Sequence, residues 1–300
     1  MKEKKKIVKI SIITILIICI VFSIFYIKRR NNYIILTEFS PCSARQMMGY
    51  AIKTINGKII IIDGGTTDDA GQLEKYIVDN GSKVDAWFIT HPHSDHVGAF
   101  EIISQNENID IEKIYMSVND KQWYMENEPS RQDDIDMFFP VIEQERIKEK
   151  IVEPQINDTI RIDNVTAKIL GVKNPEITTN SINNSSMVIK FSVNQKDILF
   201  LGDTGTESSE KLIKNQGENL RADIVQVAHH GQAGATEELY KIVKPEICLW
   251  PTTQRIWENN MYGTEDDGPW TTKKTRKWME DLKVKVNYLA FNGVQNIKIF

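Results

Sequence analysis

The chain has 300 residues, 41% of them hydrophobic and 26% charged, enough apolar material for a packed core and too much for wholesale disorder. Three cysteines (Cys19, Cys42, Cys248) with no CxxC pair exclude a disulfide framework and a thiolate zinc ribbon. The formal net charge of −4 is unevenly divided: residues 1–30 hold eight Lys/Arg against Glu3, or +7, leaving −11 on the rest, which argues against non-specific nucleic-acid binding.

Ile10–Ile27 is apolar apart from Ser11, Thr14 and Ser23. Eighteen helical residues reach about 27 Å, the thickness of a bilayer core, so this segment is predicted to be a single transmembrane anchor. A cleaved signal peptide would end in small residues, whereas the exit here is Phe25-Tyr26-Ile27-Lys28-Arg29-Arg30, and no small residue precedes Cys19. Five lysines precede the segment and three basic residues follow it. That excess places the N-terminus in the cytoplasm and the body outside the cell membrane. Residues 1–30 are thus read as basic N-terminus and anchor, and 31–300, which lack repeats or a linker, as one domain.

Within that body Tyr33–Leu36 and Gly49–Ile55 read as strands, and Gly57 turns the chain into Lys58–Ile62, whose apolar run ends in Asp63-Gly64-Gly65. A strand of that kind is buried on both faces. Gln72–Asn80 has helical spacing and closes at Gly81. Ala86–Thr90 is another buried strand, and a helix starts at Val97–Ile103. Residues 104–150 predict a helical excursion around Asp134–Lys150. Ile160–Ile162, Ala167–Leu170, Met187–Val193 and Ile198–Leu201 read as strands, the last two joined at Asn194-Gln195. A helix (Ser209–Leu220), strands Asp223–Ala228 and Ile247–Trp250, and a helix (Thr271–Leu282) follow. Val284–Ala290 and Val294–Phe300 predict a hairpin about Asn292-Gly293. Interspersed strands and helices exclude an all-helical or pure βαβ fold.

All five histidines fall in two clusters, His91-Pro92-His93-Ser94-Asp95-His96 and His229-His230, each directly after a buried strand. Imidazole and carboxylate suit zinc, manganese and iron, and this spacing lets one pair face one metal while the next pair turns to a second. A histidine cluster that merely caps a helix is the competing reading, and five histidines in two strand-end clusters weigh against it.

His91, His93, Asp95 and His96 match the HxHxDH signature and so resemble the metallo-beta-lactamase superfamily. Asp63 in Ile61-Ile62-Asp63-Gly64-Gly65, Asp203 in Phe200-Leu201-Gly202-Asp203, and Ala228-His229-His230-Gly231 resemble its other motifs, in the family's order. Within the family, Asn183-Asn184-Ser185-Ser186 ahead of the Gly-Asp strand is most similar to the C-terminal hydrolase domain of ComEC competence proteins and to stand-alone secreted relatives such as phosphorylcholine esterases. The resemblance, over about residues 33–300, implies an α/β fold of αββα type, a four-layer sandwich, here behind an N-terminal transmembrane helix. It implies two divalent metal ions, with zinc expected and manganese or iron as alternatives. His91 and His93 are assigned to one metal, Asp95 and His96 to the other, Asp203 between them, and His230 to the second. Asp95 and His229 are placed at the chemistry itself. His229 either completes the first metal's ligands or donates a proton to the leaving group. Asp63 and Asn184 are placed behind the ligands; an Asp-Gly turn and plain turn residues are their simpler readings.

The family's middle histidine has no counterpart, since residues 97–228 contain none. One of His229-His230, an Asn or Ser near 183–186, or water would have to stand in. Two cations would lower the pKa of a shared water and hold a hydroxide in line with phosphorus or a carbonyl carbon; no side-chain nucleophile is signalled. Trp250, Trp257, Tyr262 and Trp270 either line a pocket for a base or quaternary ammonium or are ordinary packing, and Asp266-Asp267 would suit a cationic substrate. The expected function is therefore a membrane-anchored hydrolase acting on a small-molecule or cell-surface phosphodiester. A lactam or other carboxyl-derivative hydrolase and a DNase are the alternatives within the enzymes, and a catalytically silent surface domain is the alternative outside them. Cys42 and Cys248 are free to pair if they lie outside the cell.

Overall fold

The computed structural model describes residues 33–264 and 266–300. The apolar stretch Ile10–Ile27 lies outside the described residues, and among those described no helix is long and apolar enough to cross a membrane. The strands, in chain order, are β1 (Ile34–Glu38), β2 (Gly49–Lys53), β3 (Ile59–Asp63), β4 (Lys83–Val84), β5 (Ala86–Ile89), β6 (Asp110–Ile111), β7 (Ile114–Met116), β8 (Ile151–Val152), β9 (Thr159–Ile162), β10 (Val165–Gly171), β11 (Val188–Val193), β12 (Lys196–Phe200), β13 (Ile224–Gln226), β14 (Ile247–Trp250), β15 (Val286–Leu289) and β16 (Gln295–Ile299). Two seven-stranded sheets form, in the orders β16-β1-β2-β3-β5-β7-β8 and β15-β14-β13-β12-β11-β10-β9, beside a small β4-β6 pair. In each large sheet one half is antiparallel and the other parallel; the changeover lies at β3 in the first sheet and at β12 in the second.

Three apolar cores make this a four-layer sandwich of α/β type. The central one, between the sheets, joins Ile60, Ile62 and Phe88 to Ile189, Phe191 and Phe200. Beneath the helices Ala70–Asp79, Ser94–Ile103 and Gln132–Ile142 lies a second, which takes Ile59 and Ile61. The third lies under Thr206–Gln216, Glu237–Val243 and Thr272–Asp281. Strand β3 shows why its sequence reads as an unbroken apolar run: alternate isoleucines feed two different cores, so none can be polar.

Four local expectations are corrected. The C-terminal hairpin does not exist: β15 runs parallel to β14 in one sheet, β16 antiparallel to β1 in the other, and residues 290–293 cross between them. An Asn-Gly corner with Gly293 at φ +98° reverses a chain equally well whether or not the strands go on to pair. Residues 104–150 hold strands β6 and β7 and three helices (Lys121–Asn127, Gln132–Ile142, Glu145–Lys148) rather than one helix over 134–150. Strand β13 ends at Gln226, and Ala228–Gly231 is a tight turn with His229 and His230 in the left-handed region. Cys42 is exposed while Cys248 is buried with Sγ 3.5 Å from Met279 Sδ, and both thiols are free.

Candidate metal centre

Strands β3 and β5 of one sheet and β12 and β13 of the other end at a common edge, where Met187 N–H, ahead of β11, donates across the halves to Thr90 O, after β5 (2.8 Å). Within the second sheet His229 N–H donates to Gly202 O (3.2 Å). The carboxyl ends of sheet strands are where open α/β folds build their sites. Here Asp63, Gly202, His229 and His230, at the tips of three of these strands, have φ of +53°, +57°, +51° and +56°. Three of the four are not glycine, and such strain persists where the surrounding bonds hold it.

From β5 the chain passes Thr90 and His91, extends through His93, and enters the helix Ser94–Ile103, whose first turn carries Asp95 and His96. This helix lies directly on the loop after β3. A Cβ at Gly98 would stand 2.5 Å from Thr67 N, so only glycine allows the approach. His91, His93, Asp95, His96, Asp203 and His230 are all buried.

His96 and His230 are each held by one ring nitrogen with the other aimed inward. Asp63 Oδ2 lies 2.7 Å from His96 Nδ1, and the same carboxylate accepts Thr90 N–H (2.8 Å) and Oγ–H (2.7 Å). His230 Nδ1 lies 2.6 Å from the Pro251 carbonyl oxygen. Both contacts place the proton on Nδ1 and leave Nε2 as the donor, the arrangement metal-binding histidines use. His96 Nε2 then stands 3.3 Å from Asp203 Oδ1, and His230 Nε2 stands 3.2 Å from Asp95 Oδ2 and 3.5 Å from Asp203 Oδ2. His91 Nε2 is 3.0 Å from His93 Nδ1 and 3.8 Å from Asp203 Oδ2. Nitrogens and oxygens bound to one zinc at about 2.1 Å stand about 3 to 3.5 Å apart, so this donor set fits cations. His96 Nε2, His230 Nε2, His93 Nε2 and Asp203 Oδ1 are buried without a hydrogen-bond partner, which leaves donor atoms available for ions.

Two donor groups form: His91, His96 and Asp203, and Asp95, His96 and His230. His96 Nε2 lies within reach of both groups, and His93, expected with His91, is in neither. Asp203 turns one oxygen to His96 and the other to His230 and His91. Burial lowers the His91 ring well below its ordinary value, with the His96 charge adding to it, and lowers His93 to about 3. Burial acts in the same sense on His96 and His230, but Asp203 outweighs it, together with Asp63 at His96 and Asp95 at His230. The first is held well above its usual value and the second at about 9. Burial raises Asp95 and Asp203, yet the surrounding histidines outweigh it and hold both well below the carboxylate range.

His229 differs from its neighbour. Its side chain is 21% exposed, with Nε2 3.9 Å from Asp203 Oδ2 and 3.5 Å from Asn183 Nδ2. Asn183 Oδ1 is buried and unpartnered, so of the two adjacent asparagines it is Asn183 that faces the cluster. Asn184, expected behind the ligands, holds the helix Thr206–Gln216 instead: its Oδ1 accepts from Ser208 N and Oγ, and its Nδ2 donates to Thr179 O and Glu207. The short helix Ser181–Asn184 turns successive side chains by about 100°, which separates the two. Ser186 Oγ accepts the Asp203 N–H and lies 3.3 Å from His91 Nδ1.

Sequence reasoning missed Gln46, whose Nε2 donates to Asp95 Oδ2 (2.8 Å) while its Oε1 accepts from Gln232 (2.7 Å). It also missed Gln226, which clamps Leu201 and Gly202. Both are single polar residues that leave no pattern. An open surface pocket of about 610 Å³ is lined by Ser40, Ser43, Thr253, Arg255 and Glu258 among others, and by none of the candidate ligands. The three tryptophans of the aromatic stretch pack, Trp250 buried against Trp257 with Arg276 over Trp257 and Arg255 over Trp270, whereas Tyr262 is exposed. Asp266 and Asp267 are engaged by Asn259 and Lys273 and by the 261–264 turn.

Comparison with known proteins agrees with this geometry. The family profile described as the metallo-beta-lactamase superfamily matches residues 49–247. ComE operon protein 3 of Bacillus subtilis (strain 168) is 24% identical over 210 residues, 64% of this chain but 25% of that protein, so the chain matches about a quarter of that relative's length. Among solved structures, the metallo-beta-lactamase fold protein YhfI from Bacillus subtilis aligns with TM-score 0.54 at 14% identity, over 88% of this chain and 100% of its own. Unliganded yeast PDE1 aligns with TM-score 0.52 at 9% identity, over 87% and 99%.

Proposed function

The chain belongs to the metallo-beta-lactamase superfamily of metal-dependent hydrolases, and from that premise we propose that it hydrolyses a phosphodiester at the outer surface of a membrane to which Ile10–Ile27 anchors it. The observation that carries the reading is Asp203. Its Oδ1 stands 3.3 Å from His96 Nε2, and its Oδ2 stands 3.5 Å from His230 Nε2 and 3.8 Å from His91 Nε2, so one buried carboxylate reaches histidines of both donor groups and would be available to two cations. His91, His93 and Asp203 would hold one ion and Asp95, His96, Asp203 and His230 the other. Two divalent ions, zinc foremost, supply Lewis-acid charge toward phosphoryl oxygen and make water a nucleophile at neutral pH.

The chain's own residues do the rest. Asp63 and the Pro251 carbonyl hold His96 and His230 in one tautomer, so their donor atoms need no reorganisation. Gln46 steadies Asp95 by one amide bond. His229 lies at the mouth with Asn183 beside its Nε2, where it can hand a proton to the departing alkoxide.

The test is elemental mass spectrometry on the full chain in detergent, with bis(p-nitrophenyl) phosphate as substrate and Asp203→Asn as control. Two metals per chain, reduced by the substitution together with turnover, are expected. Full metal occupancy without diester cleavage would overturn the substrate class, and one metal or none would overturn the two-ion centre.

A further inference from the structure

The two ions of the centre would be unequally served. Asp95, His96, Asp203 and His230 offer the second ion four donors, the number zinc usually takes, whereas His91, His93 and Asp203 offer the first only three. Residues 97–228 contain no histidine to supply a fourth. The turn over residues 180–186 lies against that first set. Ser186 Oγ accepts the Asp203 N–H at 3.0 Å and stands 3.3 Å from His91 Nδ1, while Ser186 N–H donates to Asn183 O at 3.0 Å. The turn is fastened from its other side by Glu128, whose Oε2 accepts Ile182 N–H at 3.0 Å and Ser181 Oγ–H at 3.1 Å.

Asn183 is 4% exposed. Its Nδ2 donates to Asn180 Oδ1 at 3.0 Å and lies 3.5 Å from His229 Nε2, which stands 3.9 Å from Asp203 Oδ2. The nitrogen side of the amide is therefore occupied, and Oδ1 is left buried without a hydrogen-bond partner. A buried acceptor in that state calls for a ligand. The other polar groups beside it are committed. Ser186 Oγ backs His91 and Asp203, His230 Nε2 faces Asp95, and His229 is partly exposed at the mouth. With the Asn183 oxygen the two donor sets match in number and differ in charge. The second has a carboxylate of its own, Asp95, beside the shared Asp203, whereas the first has the shared carboxylate alone and a neutral amide, which attracts a cation less strongly.

Resting on the two-ion reading above, we propose that Asn183 Oδ1 is the fourth ligand of the first ion, standing in for the absent histidine. The centre then holds its two ions with different strength, the one at His91, His93 and Asn183 being the weaker.

The experiment uses the full chain in detergent, stripped with chelator and titrated calorimetrically with zinc alone or manganese alone. Elemental mass spectrometry counts the bound ions and circular dichroism checks the fold. Wild type is compared with Asn183→Ala, Asn183→Asp and His229→Ala. Wild type is expected to bind two ions with affinities about tenfold or more apart. Asn183→Ala should loosen the weaker ion by a further factor of about ten or more and leave the tighter one within about twofold, and His229→Ala should leave both within that range. Asn183→Asp keeps an oxygen in a side chain of the same shape but loses the Nδ2 bond to Asn180. A merely structural amide would make that change damaging, whereas a ligand gains charge and tightens the weaker ion. Equal affinities or a single ion in wild type, unchanged constants in Asn183→Ala, a looser ion in Asn183→Asp, or loss of the weaker ion in His229→Ala instead would overturn the inference. None of these readouts uses the diester, so a weaker ion that depends on Asn183 in a chain that cleaves no diester would sink the substrate reading and leave the ligand standing.

Discussion

Replacing Asp63 by Asn tests whether the residue at the tip of β3 works through its charge. Its carboxylate is buried and bonded to His96 Nδ1, Thr90 N and Thr90 Oγ, and its backbone sits at φ +53°. Asparagine tolerates that conformation better than other non-glycine residues, so the substitution alters the acceptor and leaves the turn. It removes the charge that keeps the proton on His96 Nδ1, and with it the bias toward a free Nε2, on a residue common to both donor groups. Partners of this kind are typically worth 10- to 100-fold in metal affinity, about 1.4 to 2.7 kcal/mol. Chelator competition with zinc, read by elemental mass spectrometry, would measure the loss, and circular dichroism would check the fold. Unchanged affinity in a folded variant would refute the reasoning and reduce Asp63 to a turn residue.

Three further outcomes follow from the packing. Burial pushes Glu38 up to about 8 from 4.5, although the Tyr50 hydroxyl donates to it. Between those values the folded chain binds a proton that the unfolded chain lacks, so stability should fall as pH rises through that window, by up to on the order of 4 to 5 kcal/mol. Denaturant titrations at pH 5 and pH 8 should show that slope in wild type and lose it in Glu38→Gln; equal slopes would contradict it. Asn184→Ala should cost about 1 to 2 kcal/mol by uncapping Thr206–Gln216 while leaving metal content intact, and metal loss in a folded variant would move Asn184 back among the ligands. Gly98→Ala forces a Cβ against Thr67 N and should cost about 1 to 3 kcal/mol; a neutral effect in thermal melts would show that the helix can shift without penalty.

What could be read from sequence follows physical lines. The apolar run of β3 was legible because two cores constrain one strand, and the histidines because all five fall in two short clusters. The partner of a strand is not a local property, which is why β15 and β16 looked like a hairpin while each joined a different sheet. Asn183 and Asn184 were indistinguishable as letters; one helical residue step turns one to His229 and the other to Ser208. Gln46 lies outside the histidine motifs and reaches the cluster only through the fold, by its bond to Asp95.

The centre is shared between the sheets, and that bears on what metal would do to the molecule. His91, Asp95 and His96 follow β5 of one sheet, whereas Asp203 and His230 follow β12 and β13 of the other. Both donor groups draw on both sides. The turns that bring them together include left-handed residues at Asp63, His229 and His230, a conformation costing of order 1 kcal/mol or more each. Ions bound here would span the sandwich and offset that strain at the edge where Met187 and Thr90 already join the halves. Binding energy available only to the folded chain adds to its stability. The same closely spaced, inward-facing histidines and carboxylates that prepare the site for chemistry therefore make the metal a cross-brace between the two sheets.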